Sequence, residues 1–340
     1  MSRQEDKPAL GYYHFFIDFD GTITEKDTID LLGKRAIGRP ERNQGEAWEN
    51  HTKWYYEQTE RYDREHPVDL KSGQRHPRPP LTGNQDLMLR DKVIEHINGR
   101  ERLEREGLDI VNGLKFFDGL TEDQLYEEAR KLTLNRTIVV RKDFSRFIKA
   151  LRVQKAGFTI LSVNWSDMWI KGCLSPHYLQ LDVISNRIED GKVKGPGPKS
   201  LIGEHSDQPL LTGAHKLIAM ESARQKLLQK EKAMRVVYIG DSKTDLQCML
   251  ASDLAVIMVD NDPHTNPNTL VKLVTLLGHQ VRHVGDPRRP TDEKFVWARN
   301  FAEIMEAVPV AGRISDLVLE ESVSGSPSHP PSTSPSTRPA

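Results

Sequence analysis

The residues of this chain that could do chemistry fall at the ends of apolar runs. Asp18 and Asp20 flank Phe19 directly after Phe15-Phe16-Ile17, and Gly21 and Thr22 follow. A run of that composition has the character of a buried strand. Side chains alternate along a strand, so carboxylates two residues apart share a face while the strand lasts, and the glycine marks where the backbone turns. Asp and Gly are also ordinary turn residues, so a strand closing in a plain turn competes as an account of this stretch. The same ending recurs elsewhere. Phe158 to Leu161 runs into Ser162-Val163-Asn164, Arg235 to Ile239 into Gly240-Asp241-Ser242-Lys243-Thr244-Asp245, and Leu254 to Val259 into Asp260-Asn261-Asp262. If these strands are neighbours, Asp18, Asp20, Asp241 and Asp245 converge, and unpaired carboxylates in an interior repel strongly. A positive partner is then required. Hard oxygen donors suit Mg²⁺, which takes a couple of carboxylates and leaves positions for water and a phosphate. A lysine would add charge for the phosphate, and Lys199 and Lys216 both lie in the right part of the chain. The Ser162 hydroxyl, followed by free backbone N–H groups, would serve as a phosphate cradle.

The elements that must position these residues follow a repeated order of helix, strand and polar tip, the signature of parallel βαβ units. A helix over Asp143 to Gln154 stops before Gly157 and the Phe158 strand, and a helix over Leu217 to Glu231 precedes the Arg235 strand. Thr137 to Val140 marks the return of the sheet pattern, and shorter elements over Gln280 to Val284 and Thr291 to Met305 close the domain. Ligands of an open parallel sheet bind at the carboxyl ends of its strands. Asp27-Thr28-Ile29-Asp30 has the form of a capped helix start, with Asp27 or Thr28 as the cap and Asp27 the expected one. The expected division is an N-terminal extension over 1–10, an α/β core over 11–30 and 137–315, an all-helical insertion over 31–136, and a disordered Ser/Pro-rich tail over 316–340. In the insertion, Trp48, Trp54, Tyr55 and Tyr56 are spaced along one helix face, better explained as packing than as a ligand box. A long Pro-, Gly- and His-rich loop over 61–84, including His66 to Pro80, separates that helix from helices over Gln85 to Arg105 and Thr121 to Leu132, the second opened by a capping box.

Composition narrows the setting. The 340 residues carry 48 basic and 49 acidic side chains, a formal net charge of −1, so no global charge steers the chain to nucleic acid or to a membrane surface. Two cysteines, Cys173 and Cys248, make no disulfide framework and no zinc spacing. With no apolar run of membrane-spanning length and no signal-peptide core at the N-terminus, a reduced, cytoplasmic setting is expected.

The motifs taken together resemble the haloacid dehalogenase (HAD) superfamily of aspartate-nucleophile phosphatases. Asp18-Phe19-Asp20-Gly21-Thr22 is similar to its first motif, Ser162 at a strand end to its second, Lys216 in Thr212-Gly213-Ala214-His215-Lys216 to its third, and Gly240-Asp241-Ser242-Lys243-Thr244-Asp245 to its fourth. Lys199, in Gly195-Pro196-Gly197-Pro198-Lys199, competes for the third. The resemblance implies a Rossmann-like parallel-sheet core, with Asp18 as nucleophile forming an aspartyl-phosphate and Asp20 as general acid and base. It further implies Mg²⁺ held by Asp18, Asp241 and the backbone carbonyl of Asp20, phosphate bound by Ser162, Val163, Lys216 and Gly21, and a supporting role for Asp245. A helical cap between the first two motifs is similar to the phosphoserine-phosphatase-like branch, in which an acid at the position of Asp27 faces the substrate; the Ser185-Asn186 pair also fits that branch. Ser162-Val163-Asn164-Trp165 and Asp245-Leu246-Gln247-Cys248 resemble phosphatase domains joined to plant thiamin-salvage enzymes and uncharacterised fungal relatives. That makes Asn164 and Trp165 candidates on the substrate side, Trp165 either stacking on a heteroaromatic group or packing under the cap.

The expected activity is Mg²⁺-dependent hydrolysis of a small phosphorylated metabolite, similar to thiamin monophosphate or phosphoserine, with neither nucleic acid nor membrane as partner. The alternative is a catalytically weak protein of the same fold that binds or regulates a partner through the cap and tail.

Overall fold

The computed structural model describes residues 12–38, 44–68, 84–176, 181–197, 200–202, 207–229, 234–266 and 268–308. Along the chain, β1 (Tyr12–Ile17) is followed by α1 (Ile29–Ile37), α2 (Gly45–Glu65), α3 (Asn84–Asn98), α4 (Glu101–Gly113) and α5 (Glu122–Leu134). Then α6 (Phe144–Val153) leads to β2 (Gly157–Leu161), α7 (Asp167–Leu174), the short β3 (Val183–Ile184), and a hairpin of β4 (Arg187–Glu189) and β5 (Lys192–Lys194). The remainder is α8 (Gly213–Leu228), β6 (Met234–Gly240), α9 (Leu246–Ala251), β7 (Leu254–Met258), α10 (Thr269–Leu276), β8 (Arg282–His283), β9 (Phe295–Ala298) and α11 (Phe301–Ala307). The fold is α/β. Seven strands form one parallel sheet in the order β3-β2-β1-β6-β7-β9-β8.

β1 lies inside this sheet, paired on one side with β2 and on the other with β6, which is why its last four residues are buried and why the sequence there is continuously apolar. Ile17 is level with Ile160 and with Ile239. The register therefore brings Asp18, Ser162 and Asp241 out at one edge of the sheet, and the Asp18 amide donates to the Ile239 carbonyl at 2.9 Å.

Three expectations are corrected. Thr137 to Val140 is not a strand of the sheet: Val140 makes one isolated antiparallel bridge to Thr24, flanked by Glu25 N–H to Val139 O at 2.9 Å and Arg141 N–H to Ile23 O at 2.7 Å. Both edges of β1 are already occupied, so this segment laces the loop after β1 instead. The helix that starts at Gly45 does not give way to loop at Arg61 but runs to Glu65, with Arg61 paired to Glu65 one turn on at 2.8 Å. The helix expected over Gln85 to Arg105 is two helices, interrupted at Gly99-Arg100. Within the His66 to Pro80 loop, residues 69–80 lie outside the described residues, as do residues 1–11 and the tail over 316–340.

Between β1 and β2 the described elements are helices alone. They are joined to the sheet layer by α5 against α7, an approach so close that a Cβ on Gly172 would sit 2.2 Å from the backbone carbonyl oxygen of Tyr126. Alanine is ordinarily the better helix former. Here the obstacle is backbone, so Gly172→Ala should destabilise by about 1–3 kcal/mol, measured as a lower midpoint of denaturant unfolding; a rise would show that the helices part freely. A second prediction concerns His14, which is buried on β1 with Nε2 at 2.9 Å from Thr159 Oγ1, and whose pKa burial lowers from 6.5 to about 4. Below pH 6.5 the unfolded chain accepts a proton that folded His14 refuses until about pH 4, so stability falls across that window. Unfolding curves should lose up to about 1.4 kcal/mol per pH unit more in the wild type than in His14→Gln.

Candidate active site

The loop after β1 is built so that neighbouring carboxylates have separate partners. Asp18 is 5% exposed, and its Oδ1 accepts from the Phe19 amide at 2.8 Å and faces Lys216 Nζ at 2.7 Å. Asp20 turns the other way. Its Oδ1 accepts from the Thr28 amide at 2.8 Å and the Thr28 hydroxyl at 2.7 Å, and its Oδ2 from Asn164 Nδ2 at 2.7 Å. Gly21, at φ 73°, makes the turn directly after Asp20, and a Cβ there would lie 2.3 Å from Asp241 Oδ2. Only glycine satisfies both the left-handed backbone and that approach.

Lys216 lies in the first turn of α8, which starts at Gly213 rather than Leu217 because the Thr212 side chain accepts from the His215 amide. Its ammonium is fully buried and spans Asp18 Oδ1 and Asp245 Oδ1, each at 2.7 Å. Burial by itself would lower the lysine's pKa, but the two carboxylates outweigh it and hold the pKa above its ordinary value. Asp245 is further fixed by the Tyr238 hydroxyl at 2.8 Å on Oδ1 and by the amides of Asp241 and Ser242 on Oδ2. Burial would raise its carboxyl pKa, yet Lys216 and these donors keep it below the usual value. Lys199 lies outside the described residues.

Asp18, Asp241 and Asp245 each offer an oxygen within 4.8 Å of the others. Both oxygens of Asp245 accept bonds, Oδ1 from Lys216 and Tyr238 and Oδ2 from two amides, whereas on Asp18 the bonds fall on Oδ1. Asp18 and Asp241 are therefore the pair that could hold a magnesium ion, a donor number this ion commonly accepts. Asp241 is oriented by the Thr22 hydroxyl at 2.8 Å. Burial, then the charge of Asp245, raise its pKa to about 7. Asp20 is also raised to about 7, by burial and then by the negative charge of Asp27, against the bonds from Asn164 and Thr28. A carboxyl in that range can both give and take a proton at neutral pH.

Ser162 and Asn164 are buried at the tip of β2, with the Asn164 amide bonded to Ser162 Oγ at 3.0 Å. Val163 faces a cavity. Ser185 Oγ donates to Asn164 O at 2.7 Å, and the Asn186 side chain bridges Val163 O at 3.1 Å and the backbone of Leu210, so this asparagine joins two loops of the site. Asp27 receives the Ile29 amide at 2.7 Å, as a cap would, and also lines the cavity. Trp165 packs edge-on against Trp48 and Phe117, ring centres 6.2 and 6.0 Å away, and also lines the cavity. The aromatic stripe is likewise divided, Trp48 being buried while Tyr56 is 63% exposed.

Three supporting residues escaped the sequence reading. Thr28 looked like a helix cap, but its side chain makes no capping bond and holds Asp20, and it also receives Trp169 Nε1 at 3.1 Å. Arg141 is buried and donates to the carbonyls of Gly21 at 2.8 Å and Thr22 at 3.1 Å, fixing the turn that follows Asp20. Tyr238 is a strand residue whose hydroxyl reaches Asp245 only because the chain turns back after β6. Thr28 had a signal, since a threonine inside Asp-Thr-Ile-Asp has two uses; Arg141 and Tyr238 had none.

No family model matches the chain. It is similar to a CTO1 family protein from Schizosaccharomyces pombe, 27% identical over 269 residues, with 74% of this chain and 83% of that protein covered. Among solved structures it is similar to a phosphoserine phosphohydrolase-like protein from Francisella tularensis subsp. tularensis SCHU S4, at 14% identity and a TM-score of 0.46, covering 87% of this chain and 100% of that one. It is also similar to a substrate-bound phosphoserine phosphatase, at 15% identity and a TM-score of 0.39, covering 73% and 86%. A third is cytosolic 5'-nucleotidase IIIB bound to cytidine, at 13% identity and a TM-score of 0.46, covering 78% and 85%.

The lysine between two carboxylates generates a prediction. Lys216→Met leaves Asp18 and Asp245 buried without a cation, and should cost about 3–5 kcal/mol of stability, read by chemical unfolding at pH 7. A loss below that of an ordinary core substitution would mean that the carboxylates are screened by other means.

Proposed function

We propose that this chain is a Mg²⁺-dependent phosphomonoester hydrolase of the HAD superfamily, acting on a small metabolite through an aspartyl-phosphate on Asp18. The observation that carries this reading is the opposed setting of Asp18 and Asp20: one carboxylate faces a buried ammonium, and the other, two residues on, is held by Thr28 and Asn164 with its pKa near 7. In the first step an Asp18 oxygen attacks phosphorus, the bond from phosphorus to the leaving oxygen breaks, and the Asp20 proton passes to that oxygen. In the second, Asp20 takes a proton from water as the water attacks phosphorus, and the Asp18–phosphorus bond breaks to release phosphate. Lys216, the Ser162 hydroxyl and the backbone amides around Val163 and Gly21 hold the phosphoryl oxygens, and Asp245 keeps Lys216 in place. Asp18, Asp241 and the carbonyl of Asp20 would hold Mg²⁺, which when bound supplies positive charge to the phosphoryl group.

In this reading the helical segment over 31–136 is a cap, and substrates similar to thiamin monophosphate or phosphoserine are the first to try. A reducing, cytoplasmic setting accords with Cys173 and Cys248, both free and buried; among the described residues no helix is long and apolar enough to cross a membrane.

The test is hydrolysis of para-nitrophenyl phosphate and a panel of phosphorylated metabolites with and without Mg²⁺. Chelation and Asp18→Asn should each abolish turnover, and Asp20→Asn should lower kcat by about 10²–10⁴-fold. Turnover that survives Asp18→Asn overturns the mechanism. A Mg²⁺-loaded protein silent on every ester would turn attention to the alternative, a fold kept for binding a partner.

A further inference from the structure

A cavity of about 540 Å³ lies between helices α2 and α4 on one side and the strand tips on the other. Its sheet side includes Asp27, Val163 and Thr244, the chain neighbours of Thr28, Ser162 and Asp245. Its helical side includes Trp48, His51, Tyr55 and Glu104. The polar groups of the two sides differ in kind. The acids and amides at the strand tips themselves are committed to one another, as described above, while Asp27 adds a second carboxylate to the wall, held by the Ile29 amide at 2.7 Å. On the helical side the Glu104 carboxylate takes both its oxygens to one donor, the Tyr55 hydroxyl, at 2.8 and 3.0 Å.

Among the described residues Glu104 has no ion pair. The guanidinium of Arg100, one turn before it, is engaged by both oxygens of Asp63 at 2.6 Å. Burial raises the Glu104 pKa above the usual carboxyl value, while Tyr55 and the more distant Arg100 oppose the rise. Burial and Glu104 itself hold the Tyr55 hydroxyl protonated, so it stays a donor. His51 is 8% exposed, lies between the rings of Trp48 and Trp54 at 5.8 and 6.1 Å, and has no hydrogen-bond partner at Nδ1. Desolvation keeps its imidazole neutral at pH 7 by lowering its pKa, so it does not answer the carboxylate. Elsewhere on the wall, Lys26 is the single cation against Asp27, Asp30 and Glu104, and Asp30 is already paired with Lys34 at 2.6 Å.

A half-buried carboxylate with one neutral donor is costly unless something positive reaches it. Aromatic faces beside it favour the same visitor, because their quadrupoles attract a cation. We propose that Glu104, oriented by Tyr55, is a specificity determinant that selects a leaving group carrying a positively charged nitrogen, with the body of that group against Trp48 and Trp165. The inference rests on the phosphatase reading for its link to turnover, and its binding part can be tested without it.

Two esters of matched shape isolate the charge: para-(trimethylammonio)phenyl phosphate and para-tert-butylphenyl phosphate. The ratio of their kcat/KM values should fall about tenfold from wild type to Glu104→Gln, the size of one lost charge-assisted contact, and Glu104→Asp should keep most of it. The variant-to-wild-type comparison cancels the different acidities of the two phenols. A loss falling equally on both esters would show that Glu104 only supports α2 through Tyr55, and the proposal fails. Binding of phenyltrimethylammonium alone, followed by calorimetry, gives a readout that needs no hydrolysis. It should weaken about tenfold in Glu104→Gln. If the wild type hydrolyses neither ester, the binding measurement decides, and weakened cation binding in the variant still supports Glu104 as the recognising group. Binding that is unchanged by Glu104→Gln overturns the proposal in either case.

Discussion

Everything at this site depends on one buried ammonium. Lys216 is fully enclosed and lies 2.7 Å from each of two carboxylates that are themselves withdrawn from water. Removing an ammonium and two carboxylates from solvent separately would cost several kcal/mol each. Together, the ammonium offsets one of the two negative charges, and Tyr238 and two backbone amides stabilise Asp245 further. The arrangement ties three chain segments to one point: the end of β1, the first turn of α8 and the end of β6. A parallel sheet brings strand ends together anyway, and the ammonium lets those ends be acidic.

A second constraint keeps the two aspartates of the first loop apart in character. Were Asp18 and Asp20 to share an environment, two carboxyls this close would compete for the same proton. The turn at Gly21 sends Asp20 towards Thr28 and Asn164, away from Lys216. Arg141 holds that turn from beneath by its bonds to the carbonyls of Gly21 and Thr22. Asp20 has neutral donors, with burial and the charge of Asp27 raising its pKa to about 7, while Asp18 lies beside a cation that opposes, without cancelling, the rise caused by burial and by Asp245 and Asp241. Division of labour between like groups arises here from who their neighbours are.

The helical insertion adds a different surface. Facing the strand tips and Asp27, α2 and α4 set aromatic rings and a carboxylate with a single neutral partner. Selection of one ester over another, in the proposed reading, belongs to that wall, and the chemistry belongs to the strand tips. The close seat of α5 on α7 at Gly172 fixes the insertion relative to the sheet.

The local order of apolar run, acid and glycine was enough to place β1, β2, β6 and β7 and to single out Asp18, Asp20, Ser162, Asp241 and Asp245, because burial on both faces leaves a continuous apolar signature. Lys199 and Lys216 were both candidates in sequence; Lys199 lies outside the described residues, and Lys216 reaches Asp18 and Asp245 from the first turn of α8. Thr28, Arg141 and Tyr238 carry no such signature, since a hydroxyl or guanidinium acquires its role only from what folds against it. Thr137 to Val140 shows the same limit in reverse. Its residues have strand propensity, but both edges of β1 were taken, and pairing depends on a vacant partner rather than on propensity. Likewise Glu104 is one charge among many on a helix until α2 places Tyr55 and Trp48 beside it. Sequence by itself determined the sheet, the acids at its edge and the kind of chemistry they invite, since those follow from nearest neighbours along the chain. That Lys216 spans Asp18 and Asp245, that Asn164 reaches Asp20 and that Tyr55 stands against Glu104 were decided by tertiary structure, because each depends on distances between residues far apart in sequence.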